Sequence, residues 1–203
     1  PHSTLARPSE KAIDSCRKAA LVLATDVAAH QQLLAYGITE ANILRARQTQ
    51  GCHYDRSPEA RRRARQILCD INHDLFLRSQ DRVVVCPGEL TQAWGVDLLV
   101  RALTPLFDSH RALRLWILGD SKERPRIYDS LKHEGIHRVV SMPGVFTDLE
   151  QIFQAADLCV FPAARQGLGW LLPTCVASSI PALVSDCAEA RLLLGQQAPQ
   201  LTF

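Results

Sequence analysis

The sequence predicts an α/β protein built on a doubly wound parallel sheet. Three observations carry that expectation. Residues 81–190 alternate between short apolar runs and helix-length amphipathic segments, the pattern of β-α-β units. The run Arg82-Val83-Val84-Val85-Cys86 is continuously apolar after its first residue, as expected of a strand covered on both faces. A glycine turn follows most of these runs, at Gly88, at Gly119-Asp120, at Gly144 and at Gly167 to Gly169, where the chain turns from strand to helix.

Each element has its own signal. Strands are expected at 82–86, 113–118, 139–142, 158–161 and 181–184. Helices are expected at 95–107, with Pro105 near the end, and at 123–134, stopped by Gly135. Further helices are expected at 149–156, capped by Thr147 or Asp148, at 170–178, and at 188–194 before Gly195. Crossovers between parallel strands are right-handed, and ligands of such sheets bind beyond the carboxyl ends of the strands. That edge holds Pro87-Gly88-Glu89, Gly119-Asp120, Gly144-Val145-Phe146 and Arg165 to Gly169.

Residues 1–80 read differently. A helix over 10–18, a strand over 20–24, a helix over 27–36 stopped by Gly37 and a short strand over 43–46 precede a loop at 51–58. A long helix over 59–76 follows, with a basic face at Arg61, Arg62, Arg63 and Arg65. The plain reading of that face is a solvated helix surface; the sharper reading is contact with an acidic partner or a membrane surface.

The chain has 203 residues, 47% hydrophobic and 22% charged, with a formal net charge of +2. That length suits one domain plus an extension. The charge is too small to imply nucleic-acid binding, so none is expected. No apolar run is long enough to span a bilayer, and the first 15 residues lack the apolar core of a signal peptide. The seven cysteines are odd in number and contain no Cys-x-x-Cys, which points to reduced thiols in a cytoplasmic protein. Cys69 and His73, one helical turn apart, do not make up a metal site, and no metal or cofactor is expected. A chain beginning at Pro1 is expected to be a piece of a longer protein or a processed product.

Residues 82–186 resemble the C-terminal, donor-binding half of a retaining GT-B glycosyltransferase of family four, the glycosyl transferases group 1. The resemblance rests on order and spacing. The family's Gly-Arg…Lys-Gly motif corresponds to Gly88-Glu89-Leu90-Thr91-Gln92-Ala93-Trp94-Gly95. Its next strand ends in Gly-Asp or Gly-Glu, matched at Gly119-Asp120; its short strand and turn match residues 139–146; its Ala-Asp, apolar strand, Pro segment matches 155–162. Its Glu-Gly-Phe-Gly signature, followed by a helix with a second Glu and by Gly-x-Pro, matches residues 166–181. Residues 20–37 resemble the end of the family's N-terminal domain and 43–55 its crossover.

The resemblance implies a Rossmann-like fold, the C-terminal half of a GT-B architecture with a short N-terminal extension. Residues 1–58 are then the tail of the N-terminal domain and the crossover, and residues 59–203 a C-terminally truncated nucleotide-sugar domain. It implies transfer of a sugar from a nucleoside diphosphate sugar to a hydroxyl acceptor, with an N-terminal acceptor domain missing and the chain inactive alone. In the family the motif's Arg and Lys neutralise the donor diphosphate, which suits them because charge develops there as the sugar departs. Here those positions hold Glu89 and Trp94. The two glutamates that hold the sugar and the ribose correspond to Gln166 and Thr174. A carboxylate accepts from two ribose hydroxyls at once, whereas threonine makes a weaker single contact.

Backbone N–H groups of Gly167, Leu168, Gly169 and Trp170 remain available for an anion at a helix N-terminus, and Val145 and Phe146 for a base pocket. Gly167 and Gly169 are equally well explained by tight turning and close packing. A degenerate, non-catalytic relative acting as a scaffold or regulatory module therefore stands beside the donor-binding reading. A third reading is another ligand held by Glu89, Asp120 and Gln166. None of the seven histidines sits in a triad-like spacing, and no catalytic residue is assigned. Peripheral membrane contact is compatible with the basic helix.

Overall fold

A computed structural model describes residues 9–24, 27–45, 52–162, 168, 171–195 and 202. The chain divides into two compact units, 1–50 and 51–203.

In the first unit, α1 (Glu10–Lys18) is capped by Ser9, whose side chain accepts from the Ala12 N–H. β1 (Val22–Ala24) and β2 (Ile43–Arg45) pair in parallel across α2 (Val27–Ala35). Ala24, Ile38 and Ile43 form its small core. Arg17 donates twice to the Tyr36 carbonyl, at 3.1 and 2.8 Å, tying α1 to the end of α2.

The second unit starts with α3 (Pro58–Ile71), capped by Ser57 with Pro58 in its first turn. α3 ends five residues before the expected 76. Asn72 adopts an extended backbone, and its side chain accepts from the Asp74 N–H, which starts a separate 3₁₀ turn, His73–Leu75. The loop at 52–57 also belongs to this unit: His53 meets the Ala177 carbonyl at 3.0 Å and Tyr54 N–H donates to Ser178 Oγ at 3.2 Å. The boundary between compact units thus falls ahead of position 58.

Then follow β3 (Arg82–Cys86), α4 (Val96–Ser109), β4 (Leu113–Leu118), α5 (Arg124–His133), β5 (Val140–Gly144), α6 (Glu150–Ala155), β6 (Leu158–Phe161), α7 (Leu171–Ala177), β7 (Ala182–Val184) and α8 (Ala188–Leu194). The five strands are all parallel, in the order β5-β4-β3-β6-β7. Thr202 forms an isolated parallel bridge to Val184 of β7.

Period-two alternation sorts the strand residues between two cores. Val83, Val85, Trp116 and Phe161 face one, with Leu68 of α3, Phe153 of α6 and Leu172 of α7. Val84, Cys86, Leu115 and Ile117 face the other, with Leu99 of α4 and Leu131 of α5. The sheet is therefore covered by helices on both faces, as its continuous apolar runs require. β5 runs two residues further than expected, through Pro143 and Gly144. It lies at the sheet edge, where a missing N–H leaves no ladder partner unsatisfied. Neither Thr147 nor Asp148 is the N-cap of α6, which is Leu149 without a side-chain cap; the Asp148 carboxylate instead accepts from the Glu150 N–H at 2.8 Å, just ahead of the helix.

Candidate functional site at the switch point

The chain leaves β3 for one face of the sheet and leaves β6 for the other, which makes the crevice between them the topological switch point. The loop after β3 forms one wall. Gly88 has φ +137°, and a Cβ there would lie 2.2 Å from the Trp94 ring. The indole is folded back over the glycine, and its Nε1–H donates to the Pro87 carbonyl at 3.1 Å. The Cys86 thiol at the end of β3 is fully buried, and burial pushes its pKa up to about 12. Trp94 thus packs onto its own strand and contributes to both cores.

The turn after β4 is locked to this loop. Gly119, at φ +96°, brings its Cα so close that a Cβ would lie 2.1 Å from the Gly88 carbonyl oxygen. Ser121 Oγ donates to the Leu90 carbonyl, and Glu123 accepts from the Gln92 N–H at 3.1 Å. Gly119 N–H also donates to the Gly144 carbonyl at 2.8 Å, carrying the brace on to the end of β5. The structure therefore brings Gly88, Trp94 and the Gly119-Asp120 turn together.

Other expected positions fare differently. Glu89 is exposed, and its side chain has no partner among the described residues. Asp120 is exposed and turned to its neighbour, accepting from the Ser121 N–H at 2.9 Å. Val145 is 72% exposed beyond β5, while Phe146 packs against a core. Leu168 is fully buried, and its carbonyl accepts from the Leu172 N–H at 3.1 Å, starting α7. Thr174 is fully buried within α7, and its hydroxyl has no hydrogen-bond partner among the described residues. Gln166, Gly167, Gly169 and Trp170 lie outside the described residues. Cys69 Sγ approaches His73 Nδ1 at 4.0 Å, and no group of three potential metal ligands occurs among the described residues.

One centre escaped the sequence reading. Asp157, just ahead of β6, accepts from Arg61 at 2.5 Å, Arg65 at 2.9 Å, Arg82 at 3.1 Å and the Val83 N–H at 2.9 Å. Its side chain is 15% exposed. Burial raises its pKa, but the Arg61 hydrogen bond, the Val83 N–H and the charges of Arg61 and Arg65 outweigh that and hold it below the ordinary carboxylate value. Two of the arginines expected on a solvated face are thus bound within the unit. The signal was available only as the i, i+4 spacing of Arg61 and Arg65, which puts both on one side of α3.

The comparisons with known proteins agree on one lineage. The profile of the family described as Glycosyl transferases group 1 matches residues 81–200. An uncharacterized glycosyltransferase of Methanocaldococcus jannaschii is 27% identical over 119 residues, covering 58% of this chain and 30% of the relative. A D-inositol 3-phosphate glycosyltransferase of Corynebacterium aurimucosum is 32% identical over 112 residues, 51% of this chain and 27% of the relative. The solved structure of Anabaena HepE in complex with UDP and glucose superimposes with a TM-score of 0.72 at 18% identity, over 90% of this chain and 49% of that one. The chain thus spans less than a third of either curated relative and about half of the solved structure. Among the described residues no helix is long and apolar enough to cross a membrane.

Proposed function

The chain belongs to the glycosyl transferases group 1 family, and we propose that its second unit is the donor half of a GT-B enzyme that moves a sugar from a nucleoside diphosphate sugar to a hydroxyl. The observation that supports this reading is the close approach of Gly88 and Gly119 at the switch point, where glycines let backbone stand beside a ligand. The acceptor side and the group that completes the reaction belong to an N-terminal domain outside this sequence, so the chain alone binds donor and does not turn it over.

Calorimetric titration with UDP-, GDP- and ADP-sugars tests the reading. One of them is expected to bind in the micromolar range, without release of free nucleotide when the chain is incubated alone. Binding no tighter than millimolar for all three sinks it.

A second reading is favoured by specific side chains. Trp94 is folded onto Gly88, Glu89 would repel a diphosphate, and Thr174 is buried where a ribose-binding carboxylate would be needed. These features suit a non-catalytic scaffold or regulatory module of the same lineage. The variant Glu89→Arg/Trp94→Lys/Gln166→Glu/Thr174→Glu separates the two. Tighter donor binding by the variant supports an open crevice lacking its charges; unchanged absence of binding supports a closed one.

A further inference from the structure

At the opposite edge of the sheet, α3, the segment after it and the start of β3 enclose a groove of about 600 Å3 lined by Arg56, Arg61, Arg62, Arg65, Arg78 and Arg82. No carboxylate lines it. The nearest compensation is Asp157, which three of these guanidinium groups share. Arg62 pairs with Glu59 at 2.9 Å on the open surface, where such a pair is weak. The Arg78 guanidinium has no partner among the described residues, and Arg56 donates only to the carbonyls of Ala156 and Ser179.

The local excess of positive charge shows in two further ways. The Nε–H groups of Arg56 and Arg65 are buried without a hydrogen-bond partner among the described residues. Burial, and then the neighbouring Arg61 charge, lowers the pKa of Arg56; burial also lowers that of Arg65, with Arg61 and Arg82 adding to it against Asp157. A chain of formal net charge +2 thus lines one groove with six arginines, three of them paired with Asp157 and one with Glu59.

We propose that this groove binds a phosphate group. A phosphate dianion fits better than a carboxylate because it carries twice the charge and offers three oxygens, enough to engage several guanidinium forks at once. The apolar walls at Phe76, 57% exposed, and Leu77 suit a phosphate whose ester portion is hydrocarbon-rich. The site is separate from the switch-point crevice: Arg82 opens β3 and Pro87 follows its last residue, roughly 16 Å of strand apart. The same chemistry is met in a free phosphate or in an anionic lipid headgroup.

The test uses the whole chain, inorganic pyrophosphate by calorimetry, and co-sedimentation with phosphatidylcholine vesicles with and without phosphatidic acid. The variant Arg62→Glu/Arg78→Glu changes two exposed side chains outside the Asp157 cluster, and its thermal midpoint checks that it remains folded. Pyrophosphate binding is expected in the wild type and at least tenfold weaker in the variant. If the variant fails to fold, Arg78→Ala alone is expected to weaken binding about threefold. Capture only by phosphatidic acid vesicles, competed by pyrophosphate and lost in the variant, assigns the lipid source; pyrophosphate binding without vesicle capture assigns the free one. Pyrophosphate binding that the variant leaves unchanged overturns the proposal, since it would then belong to the switch-point crevice; so does absence of binding to either probe. Failure here leaves the nucleotide-sugar titration untouched, and the reverse.

Discussion

Beyond the carboxyl end of β3 the chain presents close-packed backbone, an indole folded onto a glycine and an exposed Glu89. Ahead of the amino end of the same strand it presents six arginines, three of them paired with Asp157. Both ends are rigidly built, but by different means. The carboxyl end is held by close approach, with Gly119 against Gly88 and Ser121 on the Leu90 carbonyl. The amino end is held by charge, through a half-buried ion cluster that ties α3 to β3 and β6. Among the described residues, the edge where open α/β sheets bind ligands has few cations, while the other edge has a surplus. Topology and charge therefore point to different places on one sheet.

The comparison can be broken most severely at Asp157. Asp157→Asn leaves Arg61 and Arg65 facing each other without their anion, and is expected to cost about 3 kcal/mol in chemical denaturation. A loss below about 1 kcal/mol would mean that the cluster is solvated rather than structural.

At the other end the expected loss comes from shape. Gly119→Ala forces a Cβ into the Gly88 carbonyl at a left-handed φ and is expected to cost about 2–4 kcal/mol. Gly88→Ala meets the Trp94 ring instead, so Trp94→Ala should recover part of its loss and none of that of Gly119→Ala. Equal rescue of both glycine variants would show that the indole, not the backbone approach, sets the geometry of the loop.

Acid separates the two ends more gently. The Asp157 pKa is depressed in the folded state, so its stabilisation is fully present above the unfolded value of about 3.9 and is lost as pH falls through the folded value. The wild type should lose stability below about pH 4 along a limb that Asp157→Asn flattens, measured by denaturant midpoints at pH 7 and below pH 4. A variant whose acid limb matches the wild type would place that sensitivity on other carboxylates.

The smallest effect is expected at Thr174. Its buried hydroxyl forms no hydrogen bond among the described residues, so Thr174→Val should be neutral or stabilising by up to about 1 kcal/mol. A clear loss of stability would show that the hydroxyl has a partner in the folded chain.

Much of the architecture was readable locally. β3, β4 and β6 fall where their apolar runs predicted, and α1 and α8 match their expected bounds. Those signals are local: a strand covered on both faces must be apolar throughout, and a glycine such as Gly195 ends a helix whatever surrounds it. The misjudged end of α3 was also a local matter, because Asn72 satisfies the next turn with its own side chain. The candidate site was legible as a place but not as a surface. The resemblance pointed to Gly88, Trp94 and Thr174; it carried no information on the indole turning back onto its own loop or on the burial of the threonine.

By itself the sequence determined the layering of the sheet and its parallel sense, because period, β-branching and turn glycines act over a few residues. Tertiary structure alone decided which charges meet. Asp157 lies 75 to 96 residues from the arginines that hold it. Only the strand order, by placing β6 against β3 beneath α3, brings them within hydrogen-bond reach.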